Sequence, residues 1–102
     1  MLADDGRIFA GVNVENASYP LSVCAERTAV QRAVSDGAQK LVAVAVHGPG
    51  EGPTWPCGGC RQVLHEFGPE MIVVAESESG VREERRLSDL LPDAFRGPVT
   101  GP

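Results

Sequence analysis

Three cysteines, set in Cys24-Ala-Glu26 and Pro56-Cys57-Gly-Gly-Cys60, place the strongest condition on this chain. Three thiols cannot all pair within one polypeptide, and a CxxC in a non-secreted protein points to a metal or to redox chemistry. If the three share one metal, the fold must carry Cys24 to Cys57 and Cys60. Three ligands leave a tetrahedral zinc one position short, and that open position separates a catalytic zinc from a structural one. Both clusters fall at expected helix starts, where free N–H groups and the positive dipole end stabilise thiolates. Glu26 is placed to move the protons of a water at the metal. Three thiolates would leave a zinc centre with a charge of about −1, so a nearby cation is useful, and Arg27 and Arg61 are the candidates.

The remaining sequence supplies a scaffold for such a site. Asp4-Asp5-Gly6 signals a tight turn, and Arg7 to Glu15 has strand composition, although only Met1 to Ala3 precede the turn as a partner. Alternation along that strand puts Ile8, Ala10, Val12 and Val14 on one face and Phe9, Gly11, Asn13 and Glu15 on the other. A helix is expected from Ser22 to Asp36, stopped by Gly37. Leu41 to Val46 is a continuous apolar run, the pattern of a strand buried on both faces. A Gly- and Pro-rich loop, His47 to Pro56, leads into a second helix from Cys57 to Phe67. Met71 to Ala75 is a further buried strand, Glu76 to Gly80 a turn, and Val81 to Arg86 a charged edge segment. Ser88 is expected to cap a short helix to Leu91, stopped by Pro92, and Arg96 to Pro102 to form a disordered tail. Strand, helix, strand, helix, strand in this order favours an α/β sheet with parallel pairs and helices packed on it, so that the two helix N-termini face each other.

With 102 residues the chain has room for a single domain, expected over residues 1–95. Its 9 basic and 14 acidic residues give a net charge of −5 without long runs of one sign, which argues against nucleic acid or an anionic membrane as partner. No apolar run is long enough to span a bilayer, and the first residues carry Asp4 and Asp5 where a signal peptide would be basic and then apolar. A cytoplasmic location is the expectation.

Gly11-Val-Asn-Val-Glu-Asn-Ala-Ser-Tyr19, Cys24-Ala-Glu-Arg-Thr-Ala29 and Pro56-Cys-Gly-Gly-Cys-Arg-Gln-Val-Leu64 resemble the three signatures of the small zinc-dependent cytidine deaminases, in their three-cysteine, homotetrameric form. Leu90-Leu-Pro-Asp-Ala-Phe95 resembles the C-terminal segment of that family. The resemblance implies a mixed sheet with helices on both faces, a three-layer α/β/α fold, here without the family's first helix and most of its first strand. It implies Cys24, Cys57 and Cys60 as ligands to one Zn2+ and Glu26 as proton shuttle. In the implied reaction water adds at C4 of cytosine, Glu26 carries protons to N3 and to the leaving amine, and ammonia departs to leave uridine or deoxyuridine, a step of pyrimidine salvage. Asn13 and Glu15 resemble the pair that binds the ribose 3′-hydroxyl, and Ala25 a residue whose backbone helps hold the base. Arg27 resembles an arginine bonded to the zinc thiolates. Phe95 resembles an aromatic that enters a neighbouring subunit's site, and Tyr19 lies in a segment that touches a neighbour. The implied partners are a free nucleoside and further copies of the chain, as a tetramer or dimer.

Other readings compete. Trp55 before the CxxC suits a thioredoxin-like dithiol, which leaves Cys24 and Glu26 unexplained. A structural zinc needs a fourth ligand, and only His47 and His65 offer one. A non-catalytic truncated relative and a blasticidin-type deaminase would share the zinc motifs. Asn13 and Glu15 could be edge residues facing water, Arg61 a helix-surface arginine, and Phe95 a cap on the core.

Overall fold

The computed structural model describes residues 1–97. A four-stranded sheet runs in the order β1 (Leu2–Ala3), β2 (Leu41–Gly48), β3 (Ile72–Ser77), β4 (Arg82–Arg86). The central pair β2 and β3 is parallel, and both outer pairs are antiparallel. Helix α1 (Ala25–Ser35) precedes β2, helix α2 (Gly58–Phe67) connects β2 to β3, and the single turn α3 (Leu87–Leu90) follows β4. The sheet is mixed, as the sequence suggests.

Helix α1 turns Ala29, Val30 and Ala33 into the core, and these small side chains let it lie close to its neighbours. It ends where expected: Gly37 adopts φ +91°, and the Ala38 N–H returns to the Ala33 carbonyl at 2.9 Å. Helix α2 buries Cys60 and Leu64 and packs against both α1 and α3. Val44 and Val46 of β2 stand beside Val73 and Ala75 of β3 in the parallel register; all four are buried, and the three valines share one cluster with Val30, Ala33, Leu64 and Leu87. Each Val or Leu so buried is worth roughly 1.5–3 kcal/mol. Trp55, half-buried ahead of α2, also packs on this cluster, and the Arg85 guanidinium lies 5.0 Å from its ring centroid.

Four expectations are corrected. Arg7 to Glu15 is extended but makes only the start of a ladder, through Ala3 N–H to Arg7 O (2.9 Å) and Phe9 N–H to Met1 O (2.8 Å). Met1 and Ala3 supply the partners of that start. Of its two faces the odd one is inward: Phe9 is 6% exposed, whereas Ile8 and Val12 are 77% and 68% exposed. Next, β2 is not buried on both faces, because Ala45 and His47 are exposed, and the same face carries the exposed Ile72. The strands β2 and β3 also reach further than the apolar runs, to Gly48 and Ser77, since ladder hydrogen bonds continue past the last apolar side chain. Finally, Ser88 does not cap α3; the turn begins at Leu87, and Ser88 Oγ donates to Glu70 at 3.4 Å. Of the expected tail, residues 98–102 lie outside the described residues.

Candidate active site

Cys24 and Cys57 are the N-cap residues of α1 and α2, both with extended backbones. Because these helices pack on each other, their starts meet, and Cys60 comes in from the first turn of α2. The three sulfur atoms lie within 4.8 Å of one another, with Cys57 and Cys60 Sγ 3.4 Å apart and no disulfide formed. Zinc–sulfur bonds of about 2.3 Å in a tetrahedron put sulfurs about 3.8 Å apart, so this triplet fits a zinc ion with small adjustments. No histidine joins the group, so the fourth position is not filled from His47 or His65.

The thiols differ in surroundings. The N–H of Cys60, then its thiol, lower the Cys57 pKa against the cost of burial, with Cys24 and the N–H of Gly59 adding to the lowering. Burial raises that of Cys60, reinforced by its bonds to Cys57 and Cys24 and by the charge of Glu26. Arg27 answers this cluster: its bond to Cys24 raises its pKa against burial, with the charges of the three cysteines adding to the effect. Its Nε is buried without a hydrogen-bond partner. Sulfurs ionised as metal ligands would supply the acceptors that this group lacks. The donor set and the orphaned Nε thus both suit a bound cation.

Beside Cys24 opens a cavity of about 330 Å³, lined by Asn13, Glu15, Tyr19 and Arg27 together with Cys24, Pro20, Ser22 and Val23. The extended segment therefore brings Asn13 and Glu15 to one opening, rather than leaving them as unrelated edge residues. Asn13 also has a task the sequence reading lacked: its Oδ1 accepts the Ala25 N–H at 2.7 Å. Glu26, half-buried in the first turn of α1, follows directly on Cys24 and Ala25. Tyr19 stands at the rim, 81% exposed.

Phe95 lies apart from this cavity. Its backbone exchanges two hydrogen bonds with the Gln62 carboxamide (2.9 and 3.1 Å), and its ring is 73% exposed, so it does not cap the core. Arg61 is no free surface arginine either. Its Nε donates to Pro56 O at 2.7 Å and its Nη1 to Leu90 O at 2.9 Å, which ties the approach to Cys57 to the end of α3. The bracing by Arg61 and Gln62 has no local sequence signal, since both partners of Leu90 and Phe95 are distant in the chain. Their position directly after the CxxC is the one hint.

Residues 1–76 match the family model described as the cytidine and deoxycytidylate deaminase zinc-binding region. The chain is 48% identical over 96 residues to a cytidine deaminase of Sporosarcina psychrophila, covering 93% of this chain and 71% of that protein. It is 50% identical over 95 residues to a cytidine deaminase of Mycobacterium tuberculosis, covering 92% and 68% respectively. Among solved structures, the cytidine deaminase of Burkholderia pseudomallei superposes with a TM-score of 0.88 at 47% identity, covering 92% of this chain and 76% of that one.

Proposed function

Since this chain belongs to the cytidine and deoxycytidylate deaminase zinc-binding family, we propose that its site hydrolyses cytidine and deoxycytidine to uridine and deoxyuridine with release of ammonia. The chain is a zinc-dependent hydrolase of that family, and the observation that carries the reading is the convergence of Cys24, Cys57 and Cys60 beside a cavity bordered by Asn13, Glu15 and Arg27. Zinc, when bound, supplies a Lewis acid that makes water a nucleophile near neutral pH.

The protein's own groups divide the remaining work. Glu26, one residue from Ala25 and two from Cys24, takes a proton from the attacking water, delivers it to N3 of the base and passes another to the leaving amine. Arg27 offsets the thiolate charge. With its oxygen engaged by Ala25, Asn13 offers only N–H donors to the cavity, while the Glu15 carboxylate offers only acceptors. That pair matches a hydroxyl, which needs one of each, and suits the sugar 3′-hydroxyl common to both nucleosides. The base is placed against the backbone of Ala25.

Residues 1–95 act as one unit in this proposal, in the cytoplasm, in nucleoside salvage. No helix among the described residues is long and apolar enough to cross a membrane. The exposed Phe95, fixed by Gln62 away from its own cavity, and the exposed Tyr19 suit contacts with another copy in a homotetramer or dimer. The test is the ultraviolet change of cytidine on incubation with zinc-loaded protein. Glu26→Gln should keep its zinc and lose turnover by at least about a hundredfold; full turnover in that variant would remove Glu26 from the mechanism.

A further inference from the structure

We propose that Asn13 caps α1 from outside the helix, and that it thereby acts as a positioning residue for the metal-binding thiol Cys24. The inference rests on the zinc-site reading above and adds a residue to it. A helix start leaves four N–H groups free, and at an ordinary one the N-cap side chain accepts a hydrogen bond from that of the second or third helical residue. Cys24 occupies that place in α1 but makes no such bond, and its sulfur turns toward Cys57 and Cys60 instead. The Ala25 N–H is satisfied from outside the helix, by Asn13 Oδ1 at 2.7 Å.

Neighbouring contacts show that this bond is part of a cradle. Val14 and Val23 exchange two backbone hydrogen bonds, both 2.9 Å. Cys24 thus has its preceding residue held by Val14 and its following residue held by Asn13. The same segment lies tightly on the helix at Gly11, where a Cβ would collide with the Ala25 carbonyl and the Ala29 nitrogen. Past Phe9 the segment has little other support, because its sheet ladder has ended. Asn13 and Val14 therefore fix Cys24 from both sides, and Thr28 Oγ1 adds a bond to the Cys24 carbonyl at 3.3 Å.

The experiment measures zinc affinity of the full chain without nucleoside, by competition with a chromophoric chelator, for the parent, Asn13→Ala and Asn13→Asp. Aspartate keeps an oxygen for the Ala25 N–H but loses the amide donors. Loss of one cap should weaken zinc binding by roughly three- to tenfold in Asn13→Ala, while Asn13→Asp stays within about twofold of the parent. In Asn13→Asp the KM for cytidine should rise all the same, a split between metal and substrate that a merely structural residue would not produce. Equal zinc affinity in a folded Asn13→Ala, or an equal loss in Asn13→Asp, overturns the proposal. If Asn13→Ala fails to fold, zinc retention by Asn13→Asp decides alone: retained, it supports the cap; lost, it refutes it. Turnover of cytidine by the parent, measured alongside, tests the deaminase reading separately.

Discussion

Helices α1 and α2 both begin at a cysteine that serves a shared metal, and they reach that arrangement by opposite means. At α2 the groups that favour the thiolate come mainly from its own first turn, while Arg61 ties the preceding Pro56 to Leu90. Gly58 and Gly59 leave the turn unobstructed, with nothing near a Cβ added at either, and the N–H groups of Cys60 and Gly59 favour the Cys57 thiolate. At α1 the start is held from elsewhere in the chain, by the Asn13 side chain, the Val14–Val23 exchange and the close approach of Gly11. One thiol is placed mainly by local helix geometry, the other by a tertiary contact. Binding by the second kind is exposed to any disturbance of the segment that supports it.

Removal of a ligand tests both halves at once and has the largest effect. Cys60→Ser should lose zinc altogether, read as metal content after gel filtration, because serine oxygen is a poor replacement for a buried thiolate. Zinc at parental occupancy would show that the triplet is not the ligand set. The two halves then separate at their glycines. Gly11→Val forces a side chain into the backbone of α1 and should cost at least about 1–3 kcal/mol in chemical denaturation. Parental stability would mean that the segment can move off the helix, and the asymmetry between the two starts would disappear.

A third effect comes from protonation. In the metal-free protein, burial and the bond to Cys57 push the Cys60 pKa up, so Cys60 keeps its proton near neutrality and must release it to bind zinc. Affinity should therefore strengthen as pH rises, by about tenfold per unit for each proton released. Zinc titrations between about pH 6 and pH 8 read the slope, and a flat profile would mean that the ligands are already ionised. The smallest effect belongs to the open side of the comparison: Gly58→Ala should alter stability by no more than about 0.5 kcal/mol and leave zinc in place.

The two starts also differed in how well the sequence showed them. Cys57, Gly58, Gly59 and Cys60 are contiguous, so helix period and ligand spacing can be read from one short run. The pairing of the two helix starts followed from the order of strands and helices, and a parallel pair in the sheet came with it. The Asn13 bond to Ala25 was hidden, because hydrogen-bond partners twelve residues apart are set by how a segment docks and not by periodicity. The same reason hid the grip of Arg61 on Leu90 and of Gln62 on Phe95. Alternation in Arg7 to Glu15 divided the side chains into the right two sets. Which set turned inward depended on α1, where Gly11 alone is small enough to pass.

Trp55 gives this asymmetry an optical readout. It is the chain's only tryptophan, it stands two residues before Cys57, and its ring is held between the core and the Arg85 guanidinium. Its emission consequently arises from a single place, the approach to α2. Cation contact and partial burial make that emission sensitive to small displacements of Pro56 and Cys57. Metal entry can therefore be followed in real time without a label, from the side of the site that needs no help from Asn13.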